Sequence, residues 1–276
     1  MSRTIKIDPI TRLEGHGKIQ IFLDDDGAVE DCYFQIPELR GFERFVEGRP
    51  IEELPRIVTR ICGVCPASHH MASAKAVDGC FNNEVAPLAH KLRDMYYHAH
   101  YIHSHIAHFF ALAAPDFVCG PGCDPAQRNI LGVVAKVGLE IGGQVIEARS
   151  QAQRIQTILG GRSTHLVWCL PGGVSKGLNE EELQEIKPLV ANLYEFTQFS
   201  LQLFKDVVLG NPEYVDPDKL KHAEPGPYET FMLEKYGKET VPAYEEIRQV
   251  SLEFGERLVQ TAAERIAADA LEALHS

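Results

Sequence analysis

Residues 87–115 read PLAHKLRDMYYHAHYIHSHIAHFFALAAP. Leu88, Leu92, Met95, Ala99, Ile102, Ile106, Phe109 and Ala113 recur in steps of four and three without a break. That period puts them on one face of one long helix, which Pro115 is expected to close. A second helix is expected from Asp124-Pro125, an N-cap followed by a first-turn proline. Its seam is Ile130, Val134, Val137, Ile141, Val145, Ala148, Ala152, Ile155 and Leu159, ended by Gly160-Gly161. Gly138 and Gly142 lie near this seam and are expected to let another backbone come close. A third helical stretch runs from about Asn179 to Val208, where Pro188 should kink it or mark its start. Residues 211–241, rich in Pro, Gly and charge, read as irregular, and a last amphipathic helix from about Tyr244 to Leu274.

Upstream the period changes to two. Ile5 and Ile7 alternate with polar neighbours, Lys18 to Leu23 is a second strand, Asp24 to Gly27 a turn, and Val29 to Phe34 the return strand. The expected fold class is mainly α with a small N-terminal β region. Residues 1–45 form the β-rich segment, and residues 46–276 a long-helix bundle, one structural unit.

The chain has 276 residues, of which 45% are hydrophobic, so a disordered or collagen-like chain is excluded. Its 27 Lys+Arg against 39 Asp+Glu give a net charge of −12, which argues against a nucleic-acid surface. No apolar run approaches the ~20 residues of a membrane span, and the N-terminus has no signal-peptide core. A cytoplasmic location is expected. Seven cysteines, an odd count in a chain of this size, argue against a disulfide framework.

The sharpest local feature is Arg60-Ile61-Cys62-Gly63-Val64-Cys65-Pro66-Ala67-Ser68-His69. Two thiols three residues apart can face one ion when the backbone turns between them, and Gly63 is expected to permit that turn. Thiolate sulfur suits nickel, zinc, copper or iron–sulfur centres. Taken alone, the pair reads equally as a redox dithiol, half a zinc site or two buried cysteines. Cys32, Cys80 and Cys169 stand alone and read as buried small residues. His90, His98, His100, His103, His105 and His108 lie off the seam and on more than one side of the helix, so they cannot share one metal. Core hydrogen bonding or a subunit interface is the expectation for them.

The decapeptide resembles the Arg-x-Cys-Gly-x-Cys-x-x-x-His signature of nickel–iron hydrogenase large subunits. Thr11-Arg12-Leu13-Glu14-Gly15-His16 resembles that family's other N-terminal signature. Arg40-Gly41-Phe42-Glu43, Gly48-Arg49-Pro50, Ala114-Pro115-Asp116, Gly160-Gly161-Arg162 and Pro171 to Gly177 continue the likeness. The pattern looks most like the cytoplasmic multimeric branch, whose members are linked to heterodisulfide reductase or to nicotinamide and deazaflavin carriers.

The resemblance implies a nickel–iron centre, with carbon monoxide and cyanide on the iron, that reversibly splits dihydrogen into protons and electrons. It implies Cys62 as a terminal nickel ligand and Cys65 as a nickel–iron bridge. Glu14 matches the proton-relay carboxylate; the alternative is a surface glutamate paired with Arg12 or Arg60. Glu43, nineteen residues before Cys62, matches a magnesium ligand or reads as a solvated glutamate. His69 matches a histidine that hydrogen-bonds a cysteine sulfur. Arg60 would help position the loop, and His16 reads as a relay or a packed polar residue.

The implied partners are an iron–sulfur small subunit, further electron-transfer subunits, and a chain supplying the second Cys-x-x-Cys that the family carries near its C-terminus. That second pair is not in this sequence, and Cys119 and Cys123, spaced x3 around Gly-Pro-Gly, are not accepted in its place. The expectation is the N-terminal portion of a large subunit, whether truncated, split or a degenerate paralogue. A non-catalytic scaffold or assembly protein of the same family is the alternative, and a dithiol redox protein a weaker one.

Overall fold

Alternation at the N-terminus folds into three antiparallel strands, β1 (Arg3–Ile7), β2 (Lys18–Leu23) and β3 (Val29–Gln35), in the order β1-β2-β3. The register sets Ile5 opposite Ile21, Ile7 opposite Ile19, and Ile19 opposite Phe34, which gathers the apolar side chains on one face. The hairpin turns where it was expected. The Asp24 carboxylate accepts from the N–H groups of Asp26 and Ala28, and Gly27 takes the left-handed conformation (φ 84°). The computed structural model describes residues 3–120, 122–211 and 214. Apart from residues 211 and 214, the expected irregular segment 211–241 and the helix from Tyr244 lie outside the described residues.

Helices follow: α1 (Phe42–Phe45), α2 (Leu54–Ile57), α3 (Pro66–Phe81), α4 (Pro87–Ala107), α5 (Ala114–Val118), α6 (Ile130–Val137), α7 (Leu139–Gly160) and α8 (Glu180–Phe204). A short hairpin, β4 (Cys169–Leu170) and β5 (Gly173–Val174), separates α7 from α8. Contacts divide the chain into two units, residues 1–189 and 190–276. Among the described residues no helix is long and apolar enough to cross a membrane.

The core of the first unit is the packing of α4 along α7. The buried face of α4 is offset from the expected seam. Leu88 is 68% exposed, while Ala89, Leu92, Arg93, Tyr96, Ala99, His100, His103 and Ile106 are buried. Charged and imidazole side chains share this face because each has a partner on a neighbouring helix. Arg93 pairs with Asp78 of α3 at 2.5 Å, the Ser68 hydroxyl and His100 Nε2 are 3.1 Å apart, and Arg149 of α7 donates to His103 Nε2 at 3.0 Å. Small residues of α7, Ala148 and Ala152, face this bulky row. Gly160 allows the closest approach: a Cβ there would meet the Tyr96 ring at 3.1 Å and Leu166 at 3.0 Å.

Several expected boundaries move. Pro115 does not close the α4 helix. The chain passes through a π-helical turn at His108–Ala113, and Pro115 then sits in the first turn of α5. Asp124 caps a turn by accepting from Ala126 N–H, whereas the N-cap of α6 is Asn129, whose side chain accepts from Leu131 and Gly132. The second seam is broken at Gly138 (φ 95°), which separates α6 from α7 instead of admitting another backbone. Its end is as expected, with left-handed Gly161 terminating α7. Pro188 lies inside α8 and does not mark its start, which is set by a capping box between Asn179 and Glu182.

Candidate metal centre

The cysteine loop is entered through α2 and a 3-10 turn at Val58–Ile61, and left through α3. Cys62 is extended (φ −137°, ψ 135°), and Cys65 is the N-cap of α3 with Pro66 in the first turn. The chain therefore reverses between the two thiols, and Cys65 N–H donates to Cys62 Sγ at 3.2 Å. Gly63 is not among the left-handed glycines, and a Cβ there would meet open space, so this turn does not require glycine.

Helix α3 places His69 one turn beyond Cys65. The ligand atoms of Cys62, Cys65 and His69 lie within 4.8 Å of one another, the one such grouping of three among the described residues. All three are half-buried. Burial first, then the hydrogen bond and charge of Cys62 and the charge of Glu14, push the Cys65 thiol up to about 12. A cation settling here must displace that proton.

Glu14 reaches the same place from the N-terminal loop. The Cys62 thiol donates to Glu14 Oε1 at 3.6 Å, a sulfur-length hydrogen bond. The loop is pinned by Arg12, left-handed at φ 60°, whose guanidinium binds Asp116 Oδ2 at 3.2 Å and the Arg128 carbonyl at 2.6 Å. Arg12 is thereby committed to the α5–α6 side and does not neutralise Glu14. Two thiols, a ring nitrogen and a carboxylate are brought together from two segments far apart in sequence.

Residues 40–121 match the nickel-dependent hydrogenase family and residues 4–39 a HoxL-like family. The chain is 48% identical over 214 residues to an iron-sulfur subunit of the F420-non-reducing hydrogenase of Archaeoglobus profundus, covering 78% of this chain and 44% of that protein. It is 45% identical to a vhu subunit of the F420-non-reducing hydrogenase of Methanocaldococcus jannaschii, over 78% of this chain and 50% of that one. A solved NAD+-reducing [NiFe]-hydrogenase superposes with a TM-score of 0.67 at 38% identity, over 75% of this chain and 46% of that one. This chain is a homologue of nickel–iron hydrogenase large subunits. It matches their N-terminal portion and spans about half the length of the curated relatives.

The remaining expected residues of this hydrogenase homologue are scattered. His16 is exposed and pairs with Glu38. Glu43, on α1, is exposed and bonded to Arg40 at 3.1 Å; its own backbone N–H and then Arg40 hold its carboxyl below the usual range. Neither belongs to the cysteine grouping. Arg60 is exposed, and no hydrogen bond or ion pair ties it to the loop among the described residues. Of the lone cysteines, Cys169 is buried as expected, but Cys32 and Cys80 are exposed. Cys119 and Cys123 join no ligand grouping. His100 and His103 do form core hydrogen bonds, as expected.

Sequence reasoning missed the residues that brace the loop. His70, fully buried, donates from Nδ1 to the Pro55 carbonyl at 2.8 Å, and its Nε2 accepts from Cys169 N–H at 3.0 Å. The second bond requires an unprotonated Nε2, so the ring is the neutral Nδ1–H tautomer. Burial, the largest cause, lowers its pKa and agrees with that assignment. His165 binds the Thr59 carbonyl at 2.8 Å, and Thr59, itself buried, donates to the Arg56 carbonyl. Asp78 accepts from Gly172 N–H, and Arg93 donates to the carbonyls of Leu170 and Gly173, so one buried ion pair fixes the β4–β5 hairpin. The doubled His69-His70, one residue facing sulfur and the next on the apolar face of α3, was the available signal for His70.

Proposed function

We propose that this chain is the N-terminal part of the catalytic large subunit of a nickel–iron hydrogenase, acting on dihydrogen. The observation that carries the reading is the Cys62 thiol 3.6 Å from Glu14 within a cluster that also holds Cys65 and His69. Soft sulfur donors with one imidazole suit nickel better than a hard cation. Cys62 and Cys65 would hold one side of the centre, and a segment or chain bearing a second cysteine pair the other. When bound, the nickel–iron centre, with carbon monoxide and cyanide on the iron, polarises dihydrogen toward heterolytic cleavage.

This chain's own residues handle the proton. Glu14 accepts it from the Cys62 thiol and passes it outward, since its carboxylate is exposed. Arg12 and Asp116 hold the loop in place during that exchange. His69 orients against the sulfurs and tunes their electron density. Electrons leave to an iron–sulfur small subunit in a cytoplasmic complex, and Glu43 is the candidate magnesium contact.

The test is metal analysis and infrared spectroscopy of the complex that this chain forms in its native host. Nickel, iron and the bands of iron-bound carbonyl and cyanide are expected. A stable complex with neither metal would favour the scaffold reading. Hydrogen uptake by the homogeneous chain alone would refute the requirement for further thiolates.

A further inference from the structure

The cysteine loop is entered through α2, one turn long, which runs into a 3-10 turn. Three carbonyls on this path accept side-chain hydrogen bonds: Arg56 from the nearby Thr59 hydroxyl, and Pro55 and Thr59 from the more distant His70 and His165. His70 differs from the others because its ring joins three segments. It stands on α3, five residues after Cys65. It holds Pro55, on the way into the loop, through Nδ1–H, and the backbone of β4, through Cys169 N–H, with Nε2. Its neighbour His69 lies with the sulfurs. Adjacent helical residues point about 100° apart, so α3 presents one imidazole to the ligand cluster and the next to the core.

We propose that His70 is the positioning residue of the thiol pair: by tying Pro55 to α3 it holds the entry and exit of the Cys62–Cys65 turn together, so that both sulfurs can close on one cation, while the bond from Cys169 N–H fixes the tautomer that makes Nδ1 the donor. The inference rests on the reading of Cys62 and Cys65 as metal ligands. The ring itself does not touch the cation. It acts through the backbone: with Pro55 tethered, the 3-10 turn has a fixed origin, and Cys62 is delivered to where Cys65 N–H can bond its sulfur. Groups that hydrogen-bond a metal ligand directly commonly change metal affinity by about 10–100-fold when removed, and His70, one backbone step further away, is expected at the lower end of that range.

Two substitutions separate the tethers. Asparagine places an amide N–H where Nδ1 stands, so His70→Asn keeps the bond to Pro55. Glutamine places an amide oxygen near Nε2, so His70→Gln keeps the bond from Cys169 N–H and loses Pro55. His70→Leu loses both. Cobalt(II) is titrated anaerobically into the full, reduced chain, following the thiolate-to-cobalt charge-transfer absorption, with circular dichroism to monitor the fold. The expected result is His70→Asn close to wild type, with His70→Gln and His70→Leu weaker by roughly tenfold or more at unchanged helicity. Wild-type affinity in His70→Gln would overturn the proposal, and this holds even where His70→Leu does not fold. A wild-type chain with no thiolate band would instead defeat the underlying reading of Cys62 and Cys65, an outcome recognisable before any variant is made.

Discussion

The Cys62 thiol and the Glu14 carboxylate, separated by 48 positions in sequence, meet at 3.6 Å. A thiol that donates to an exposed carboxylate is a proton path one step long. Replacing the carboxylate by an amide removes the acceptor that can carry a full proton while keeping the size. Glu14→Gln in the complete enzyme is therefore expected to slow proton–deuterium exchange by about 10²–10⁴-fold with nickel and iron content intact. Unchanged exchange would defeat the relay assignment.

Arg12 holds the Glu14 loop in place with a backbone that an arginine seldom adopts. Its hold comes from Asp116 and the Arg128 carbonyl, not from Glu14. Arg12→Gly relieves the backbone and deletes the tether, so the two effects part company. The expectation is little change in thermal stability and a clear loss of exchange rate, smaller than that of Glu14→Gln. Asp116→Asn, which keeps one acceptor oxygen, is expected to fall between wild type and Arg12→Gly in the same exchange assay.

How far the sequence was legible follows from which interactions are local. The sheet was readable to within a residue because alternation and the Asp24–Gly27 turn act within a few positions. The helix of residues 87–107 was readable, but its buried face was drawn one position off, because Arg93, His100 and His103 count as polar by type yet are buried with partners on α3 and α7, and the Tyr96 ring packs on Trp168. Asp124 and Asn129 are both competent caps, and only the folded chain decides which one starts α6. Cys62 and Cys65 were legible as a pair from their spacing, while the role of His69 came from the resemblance. Glu14 came from resemblance alone. His70 and His165 act on partners 99 and 106 residues away, and no period in the sequence carries that information.

Arg93 and Asp78 form a buried ion pair with side-chain exposures of 4% and 9%. Burial raises the Asp78 carboxyl, but the Arg93 bond and Gly172 N–H outweigh it, and the net direction is down. Removing one partner strands the other charge. Asp78→Leu is expected to cost about 3–5 kcal/mol in denaturant unfolding, and replacing Arg93 as well should not recover it, because Gly172 N–H and the Leu170 and Gly173 carbonyls would then lose their partners. A single-variant cost below about 1 kcal/mol, the level of an exposed pair, would mean that solvent reaches the pair.

His103 supplies a pH test. Its Nε2 accepts from Arg149, and burial first, then the charges of Arg149 and His100, bring its pKa down to about 4. In the unfolded chain the ring titrates near 6.5. Between these values the unfolded state takes up a proton that the folded state refuses, so stability rises with pH across this window and is lost as pH falls from about 6.5 toward 4. Buried His70 and His100, also lowered by desolvation, act with the same sign. His103→Gln keeps an acceptor for Arg149 and cannot titrate. Melting temperatures of the wild type should be level above pH 7 and fall below it, and those of His103→Gln should fall less steeply. Identical slopes would show that His103 takes up its proton as readily folded as unfolded, which its contact with the Arg149 guanidinium forbids.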